Sequence, residues 1–328
     1  MSIPTWPFRP KGLSRIHTRP QLRRPPDSAD LSIMALERNA NGTMRTAVVL
    51  VQCPDQKGLV SKISTFWYGR GFNIVDCQQH VDVGEGRFFM RLKLDLEERV
   101  WPLPEEIEFQ RLADDLGLAW SSHASLEPAR VAILVSRAPH CLYDLLVRQR
   151  EGELPCEIPL IISNHSILSS VAAQFGIPFH HLPVAAETKP EQERRVQALL
   201  QEKRIDLIVL ARYMQILSPD FASEHARQII NIHHGFLPAF QGSNAYQRAY
   251  ERGVKMIGAT AHYVTADLDE GPIIEQDVER VTHEHSPTEL SRMGHDIERV
   301  VLARAVKAHL EHRVIVSGRR TIVFSAGA

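Results

Sequence analysis

Residues 228–238 read QIINIHHGFLP, and the architecture is decided here. Ile229 to Ile232 are apolar apart from one amide, Asn231, and the run ends on two adjacent histidines before leaving through Gly235 and Pro238. A strand with one wet face alternates apolar and polar residues, whereas a strand covered on both faces is apolar nearly throughout. The same unbroken pattern recurs upstream in RVAILVS (130–136), EIPLIIS (157–163) and IDLIVLA (205–211), with a shorter run, PFHHLP, at 178–183. Between these lie segments of helical period: CLYDLLVRQRE (141–151), SILSSVAAQFG (166–176) and PEQERRVQALLQEK (190–203). Buried strands alternating with helices predict an α/β, Rossmann-like, mostly parallel sheet over residues 128–328.

The later part of this region adds strands at IGATAHYV (257–264) and IIEQDVERV (273–281). A long helix is predicted from Ser286, with Pro287 at its first position and Glu289 completing a capping box. Its apolar stripe is Leu290, Met293, Ile297, Val300 and Val301. RVIVSGRRTIVF (313–324) reads as a closing hairpin that turns at Ser317–Gly318.

Residues 46–127 have a different rhythm. TAVVLVQC (46–53) is a buried strand, and Leu59, Val60, Ile63, Phe66 and Trp67 form a helical stripe ended by Gly69 and Gly71. FNIVDCQQHVD and RFFMRLKLDL flank Gly84-Glu85-Gly86 as a hairpin; an amphipathic helix, PEEIEFQRLADDLGLAW, and a strand in AWSSHASLE follow. The order βαββαβ predicts a ferredoxin-like unit, with a boundary at Glu127–Pro128. Residues 1–45 are rich in Pro and Arg and lack apolar periodicity. They read as a disordered or mis-started basic tail, because Met34 and Met44 offer alternative starts.

Of the 328 residues, 44% are hydrophobic and 23% charged, and the formal net charge is -1, a soluble globular composition that favours neither nucleic acid nor a membrane. The balance is uneven. The tail holds eight Lys and Arg against Asp27, Asp30 and Glu37, leaving the body mildly acidic. Cys53, Cys77, Cys141 and Cys156 have no CxxC spacing, which points to buried free thiols in a reducing, cytoplasmic setting. His180–His181 and His283/His285 lack a third ligand nearby in sequence, so no metal is expected. Neither a Gly-x-Gly-x-x-Gly stretch nor a P-loop is present.

In an open α/β sheet, ligands bind beyond the carboxyl ends of the strands. Three strand ends carry reactive side chains. Strand alternation places Asn231 and His233 on one face and His234 on the other, so an amide and an imidazole can converge on one oxygen while His234 is left a structural role. TADLDEGPII (265–274) offers Asp267, Asp269 and Glu270 just before a Gly-Pro turn, where a carboxylate can orient a histidine or a water. LARYMQILSP (210–219) places Arg212, Tyr213, Met214 and Gln215 at a third strand end, where they can wall a flat ligand or pack the core.

Together, INIHHGFLPAFQG and GATAHYVTADLDEGPIIEQD resemble the signature of the 10-formyltetrahydrofolate-using formyltransferase fold. CPDQKGLVSKIS, GRFFMRL, APHCLYDLL, ISNH and YERGVKMIGATAHYV are similar to its deformylase branch, so the likeness covers residues 46–328. The resemblance implies a catalytic triad of Asn231, His233 and Asp269. It implies a folate-binding wall of Arg212, Tyr213, Met214, Gln215, Ile216 and Leu217, faced by Val264 and Thr265. The activity implied is hydrolysis of 10-formyltetrahydrofolate to formate and tetrahydrofolate, with the folate as substrate, no cofactor, and the formate available to purine synthesis. The first unit resembles an ACT domain, which implies an amino-acid effector near Asp55 and Gly58 and a homo-oligomer.

Two departures from the family pattern bear on specificity. Glycinamide ribonucleotide transformylases carry a glycine-rich phosphate loop where this chain has SRAPHCLYD (136–144), and a loop without glycine cannot wrap a phosphate with backbone amides. Gly235 replaces the Ser expected of deformylases, and could widen the pocket or loosen its loop. Two further readings remain: formyl transfer to a small amine, which would use the same triad, and an amino-acid sensor whose second domain is inactive.

Overall fold

The computed structural model describes residues 45–124, 126–239 and 245–326; the basic tail and the FQGSN stretch at 240–244 lie outside them. The chain opens with β1 (Thr46–Pro54), α1 (Leu59–Tyr68), β2 (Ile74–Asp82), β3 (Arg87–Asp95), α2 (Glu105–Leu116) and β4 (Ala119–Ala124). The strands form an antiparallel sheet in the order β2-β3-β1-β4, the ferredoxin-like arrangement. One face is dry because alternate residues of β1, Val49, Val51 and Cys53, meet Ile63 and Trp67 of α1 and Phe109 of α2. Val60, placed on the helical stripe by sequence, is instead exposed: it lies beside Leu59 on the rim, and the buried arc of α1 is narrower than the apolar pattern.

The second sheet is built from β5 (Ala129–Val135), α3 (His140–Arg150), β6 (Cys156–Ser163), α4 (Ser169–Gln174), β7 (Phe179–His181), α5 (Lys189–Glu202), β8 (Leu207–Leu210), α6 (Pro219–Glu224), β9 (Ile229–His233), α7 (Ala245–Arg252), β10 (Met256–Tyr263) and β11 (Ile273–Arg280). Then come α8 (Pro287–Leu310) and the hairpin β12 (Val314–Ser317) and β13 (Arg320–Val323). Seven strands are ordered β11-β10-β9-β8-β5-β6-β7, with β5 to β9 parallel and β10 antiparallel to both neighbours. Each face carries its own apolar layer, which is why the strands read as unbroken apolar runs. The chain winds outward from β5 in both directions, so the ends of β5 and β8 flank the switch point where such sheets bind ligands. Helices α6 and α7 were not legible in the sequence; both are short and border turns.

The capping box at Ser286 is formed: the Ser286 amide donates to Glu289 Oε2 at 2.7 Å, and the Glu289 amide donates to Ser286 Oγ at 3.3 Å. Beyond α8, the C-terminal hairpin covers the second face of the first sheet, where Phe89 meets Ile315 and Phe324. Arg91 binds this junction, donating to the carbonyls of His312 and Glu311, each at 3.1 Å. Cys53, Cys141 and Cys156 are buried free thiols, but Cys77 is exposed, because β2 is an edge strand with an outward-facing row. Among the described residues no helix is long and apolar enough to cross a membrane.

Candidate active site

The site begins where β9 ends. Pairing with β10 sets Asn231 opposite His262 and His233 opposite Thr260. The Nδ1 of His262 lies 2.9 Å from the Tyr263 carbonyl, which can only accept, so Nδ1 carries the proton. Nε2 then accepts from Asn231 Nδ2 at 3.2 Å, which orients the amide and leaves it a second N–H. Burial lowers the pKa of His262, in keeping with this neutral tautomer. His262 was missed in the sequence, and its strand position opposite Asn231 was the available signal.

The Asp269 loop meets this pair from β10. Asp269 Oδ2 is 3.3 Å from His233 Nδ1, and Oδ1 is 3.9 Å from His262 Nε2, with all three side chains nearly buried. Asp269 has a left-handed backbone, φ 56. The return of the loop is clamped: Tyr263 N donates to Pro272 O at 2.9 Å, and a Cβ on Gly271 would sit 1.7 Å from the Tyr263 carbonyl oxygen. Only glycine fits there.

The sharp turn after His234 is held by the buried Thr260. Its hydroxyl donates to Gly235 O at 2.8 Å and accepts from Leu237 N at 3.0 Å and from Gln276 Nε2 at 2.9 Å. The Gly235 carbonyl is pinned by the Thr260 hydrogen bond, which opposes a loosening at this point of the turn. The position of His234 also corrects the sequence reading. β9 stops at His233, alternation stops with it, and His234 lines the same cavity with its ring 5.3 Å from that of His233. Burial, and next the Arg212 charge, lower its pKa to about 4, so it is a neutral wall at pH 7.

These groups open on a cavity of about 350 Å³. Arg212 to Leu217 form one wall and Val264 to Asp269 the other, so all eight residues assigned to the folate wall are brought together beside Asn231, His233 and Asp269. Met214, Ile216 and Leu268 leave apolar surface exposed at the rim, as a ligand with an apolar face requires. Tyr213 differs: its ring is buried and its hydroxyl accepts from Gln192 Nε2 at 2.9 Å, so it supports the wall from beneath. The Ser136 hydroxyl fixes the wall from the other strand ends, accepting from Met214 N at 3.0 Å and donating to Asn164 Oδ1 at 2.6 Å.

Behind Arg212 lies a cluster that sequence reading missed. Glu298, fully buried on α8, accepts from Tyr246 Oη at 2.6 Å, meets His140 Nε2 at 2.8 Å and lies 3.4 Å from Arg212 Nε. Burial alone would push its carboxyl up; the His140 hydrogen bond and the Arg212 charge overcome this and hold its pKa below the usual value. Gly294 makes room for the ring, since a Cβ there would lie 2.0 Å from Tyr246 Cζ. The available signal was an acid four residues after Gly294 and four before Leu302, on the buried face of the helix. His140 thus comes from SRAPHCLYD, and its partner is a carboxylate rather than a phosphate. With His295, His140 and Glu298 have metal-ligand spacing. The nearby guanidinium and the near-parallel stacking of the two rings at 4.0 Å disfavour a cation at that point.

Asp55 and Gly58 share the exposed turn between β1 and α1, where Gly58 takes φ 88. His180 and His181 lie on β7, and His285 Nδ1 accepts from Thr282 N at 3.0 Å in a local turn.

Comparison with known proteins places these features in context. Residues 129–306 match the family model described as Formyl transferase. The chain is 53% identical over 281 residues to formyltetrahydrofolate deformylase of Synechocystis sp., covering 85% of this chain and 99% of that protein. It is 48% identical over 294 residues to formyltetrahydrofolate deformylase of Bacillus subtilis, covering 88% and 97%. A crystal structure of a formyltetrahydrofolate deformylase from Pseudomonas syringae pv. tomato superposes with a TM-score of 0.83 at 44% identity, covering 86% of this chain and 95% of that one.

Proposed function

The chain belongs to the formyltetrahydrofolate deformylase family, and on that premise we propose that it hydrolyses 10-formyltetrahydrofolate to formate and tetrahydrofolate. The observation that carries the reading is the meeting of Asn231, His233 and Asp269 at one end of a cavity with an apolar rim. Water adds to the formyl carbon, with Asp269 accepting its proton directly or through His233. The carbonyl oxygen becomes an oxyanion, which receives the second N–H of Asn231 and an N–H of protonated His233. The C–N10 bond then breaks, a proton passes to N10, and formate and tetrahydrofolate leave. The anilinic N10 already activates the formyl group, so the reaction calls on no added cofactor.

Incubation of the protein with 10-formyltetrahydrofolate alone tests this reading. Release of one formate per tetrahydrofolate supports hydrolysis. A formylated amine, formed with tetrahydrofolate only on addition of a small amine, supports transfer instead, and no turnover under either condition supports the sensor reading.

The ferredoxin-like unit completes the proposal as an ACT-like effector module. An amino acid would bind at the Asp55–Gly58 turn of a homo-oligomer. The enzyme is placed in the cytoplasm, where reduced folates and free thiols are stable. Saturable binding of an amino acid, lost on Gly58→Val, supports the module; a monomer that binds none of the twenty overturns it.

A further inference from the structure

A second cavity, of about 430 Å³, lies between the two sheets and away from the folate wall. It falls within the size range of small-molecule sites, about 300–1,000 Å³. Its roof is the second face of the first sheet, where the register places Leu50 opposite Ser121 and Val48 opposite His123. Its floor is the end of α8 and the start of β12, with Tyr263 of β10 and Arg227 at the side. The polar lining is unusual in sign. It contains Arg227, His123, His309 and His312, with the Ser121 and Tyr263 hydroxyls, and neither an Asp nor a Glu. Gln52 and Trp120 also line it, and the rest is aliphatic, from Leu50 and Val51 to Val314, Ile315 and Val316.

The geometry points to a binding site for a small carboxylate with an apolar body, seated with its charge toward Arg227 and the imidazoles and its tail along Leu50 and β12. An arginine pairs with a carboxylate through two parallel N–H groups. The imidazoles are pre-arranged: the rings of His123 and His312 stack at 4.1 Å, Ser121 Oγ lies 3.0 Å from His123 Nε2, and the Tyr263 hydroxyl lies 2.8 Å from His309 Nδ1. Burial keeps all three uncharged, lowering His309 to about 4 and His312 to about 3. An entering anion reverses that balance and supplies the counter-charge the lining lacks. The same lining selects against an amino acid, whose ammonium would be buried without a carboxylate partner. This separates the cavity from the effector turn proposed at Asp55–Gly58.

Tyr263 gives the cavity a route to the reaction. Its side chain reaches His309, while its backbone holds His262 Nδ1 through the carbonyl and Pro272 through the amide. A ligand that displaces the phenol therefore acts on the strand that carries His262.

Calorimetry on the full chain at pH 7 tests the site, with hexanoate as probe. The expected result is saturable binding of one hexanoate per chain, which persists in saturating tetrahydrofolate. Norleucine, the same carbon chain with an added ammonium, is expected to bind at least tenfold more weakly. Arg227→Asn, which suits the left-handed backbone there, φ 65, is expected to weaken hexanoate at least tenfold. Ser121→Phe, at an exposed strand position, is expected to fill the cavity and abolish binding. Absence of saturable binding, displacement by tetrahydrofolate, or equal binding by both variants overturns the proposal.

Discussion

On one side of the candidate active-site pocket a carboxylate, Asp269, lies 3.3 Å from His233 and 3.9 Å from His262. On the other, Glu298 lies 2.6 Å from Tyr246, 2.8 Å from His140 and 3.4 Å from Arg212. The ingredients are alike: a buried acid, histidines and a donor at the end of a parallel strand. What differs is accessibility. Asp269 belongs to the cavity lining and can reach a bound substrate, whereas Glu298 is sealed within α8 and its oxygens are committed to protein partners. The carboxylate proposed to react and the structural one are separated here by what each faces, which residue type alone does not disclose.

Asp269→Asn attacks the first cluster at its base. Formate release from 10-formyltetrahydrofolate is expected to fall by about 10³-fold or more, the upper range for loss of general-base and oxyanion support. Folate affinity, read by fluorescence quenching, should stay within a few-fold of the parent. Retained turnover would remove Asp269 from the reaction.

Glu298→Gln attacks the second cluster, and its main effect should be on stability. Removing one partner of a buried pair costs about 3–5 kcal/mol, because the remaining charge, here Arg212, stays buried and unpaired. Urea unfolding at pH 7 measures it. The folded pKa of Glu298 is depressed, so its stabilising contribution is present above the unfolded value and lost as pH falls through the folded one. The variant should therefore show a shallower acid limb as well as a lower midpoint.

Asn231→Ala tests the link between Asn231 and His262. Loss of one oxyanion donor costs about 10²–10³-fold in turnover. His262→Phe is expected to approach the same loss, since it frees the amide from the bond that orients it. A His262→Phe enzyme with normal turnover would reduce that hydrogen bond to packing.

Much of this was legible in the sequence, for reasons that can be named. Unbroken apolar runs gave the buried strands because both faces of the second sheet are covered, and the capping box at Ser286 gave the start of α8. Asn231, His233 and Asp269 stood out because polar groups at strand ends interrupt an otherwise apolar pattern. Glu298 and Tyr246 did not, and Arg212 was read only as part of the wall, because their pairing spans 52 and 86 positions and exists only after α8 packs on the sheet. His234 was misplaced for a local reason. Alternation governs only residues inside a strand, and the turn fixed by Thr260 begins one residue earlier than the sequence reading allowed.

His234 supplies the smallest effect and the closest test of the two-cluster contrast, since its ring lies between them, near Arg212 and His233. Its pKa is lowered to about 4 in the fold, against 6.5 in the unfolded chain, chiefly by burial. Between those values the unfolded chain binds a proton that the native state refuses, so stability is full above pH 6.5 and declines as pH falls toward 4. One such group contributes a slope of at most about 1.4 kcal/mol per pH unit. His234→Gln should flatten the decline by part of that amount, with His309 and His312 sustaining the remainder, because burial lowers both in the same direction. Its turnover loss should be about tenfold or less, well short of His233→Ala, because a neutral wall shapes the pocket without carrying charge in the reaction. Equal slopes in parent and variant, from urea midpoints at pH 7.5 and 5, would mean that the fold does not lower the pKa of His234.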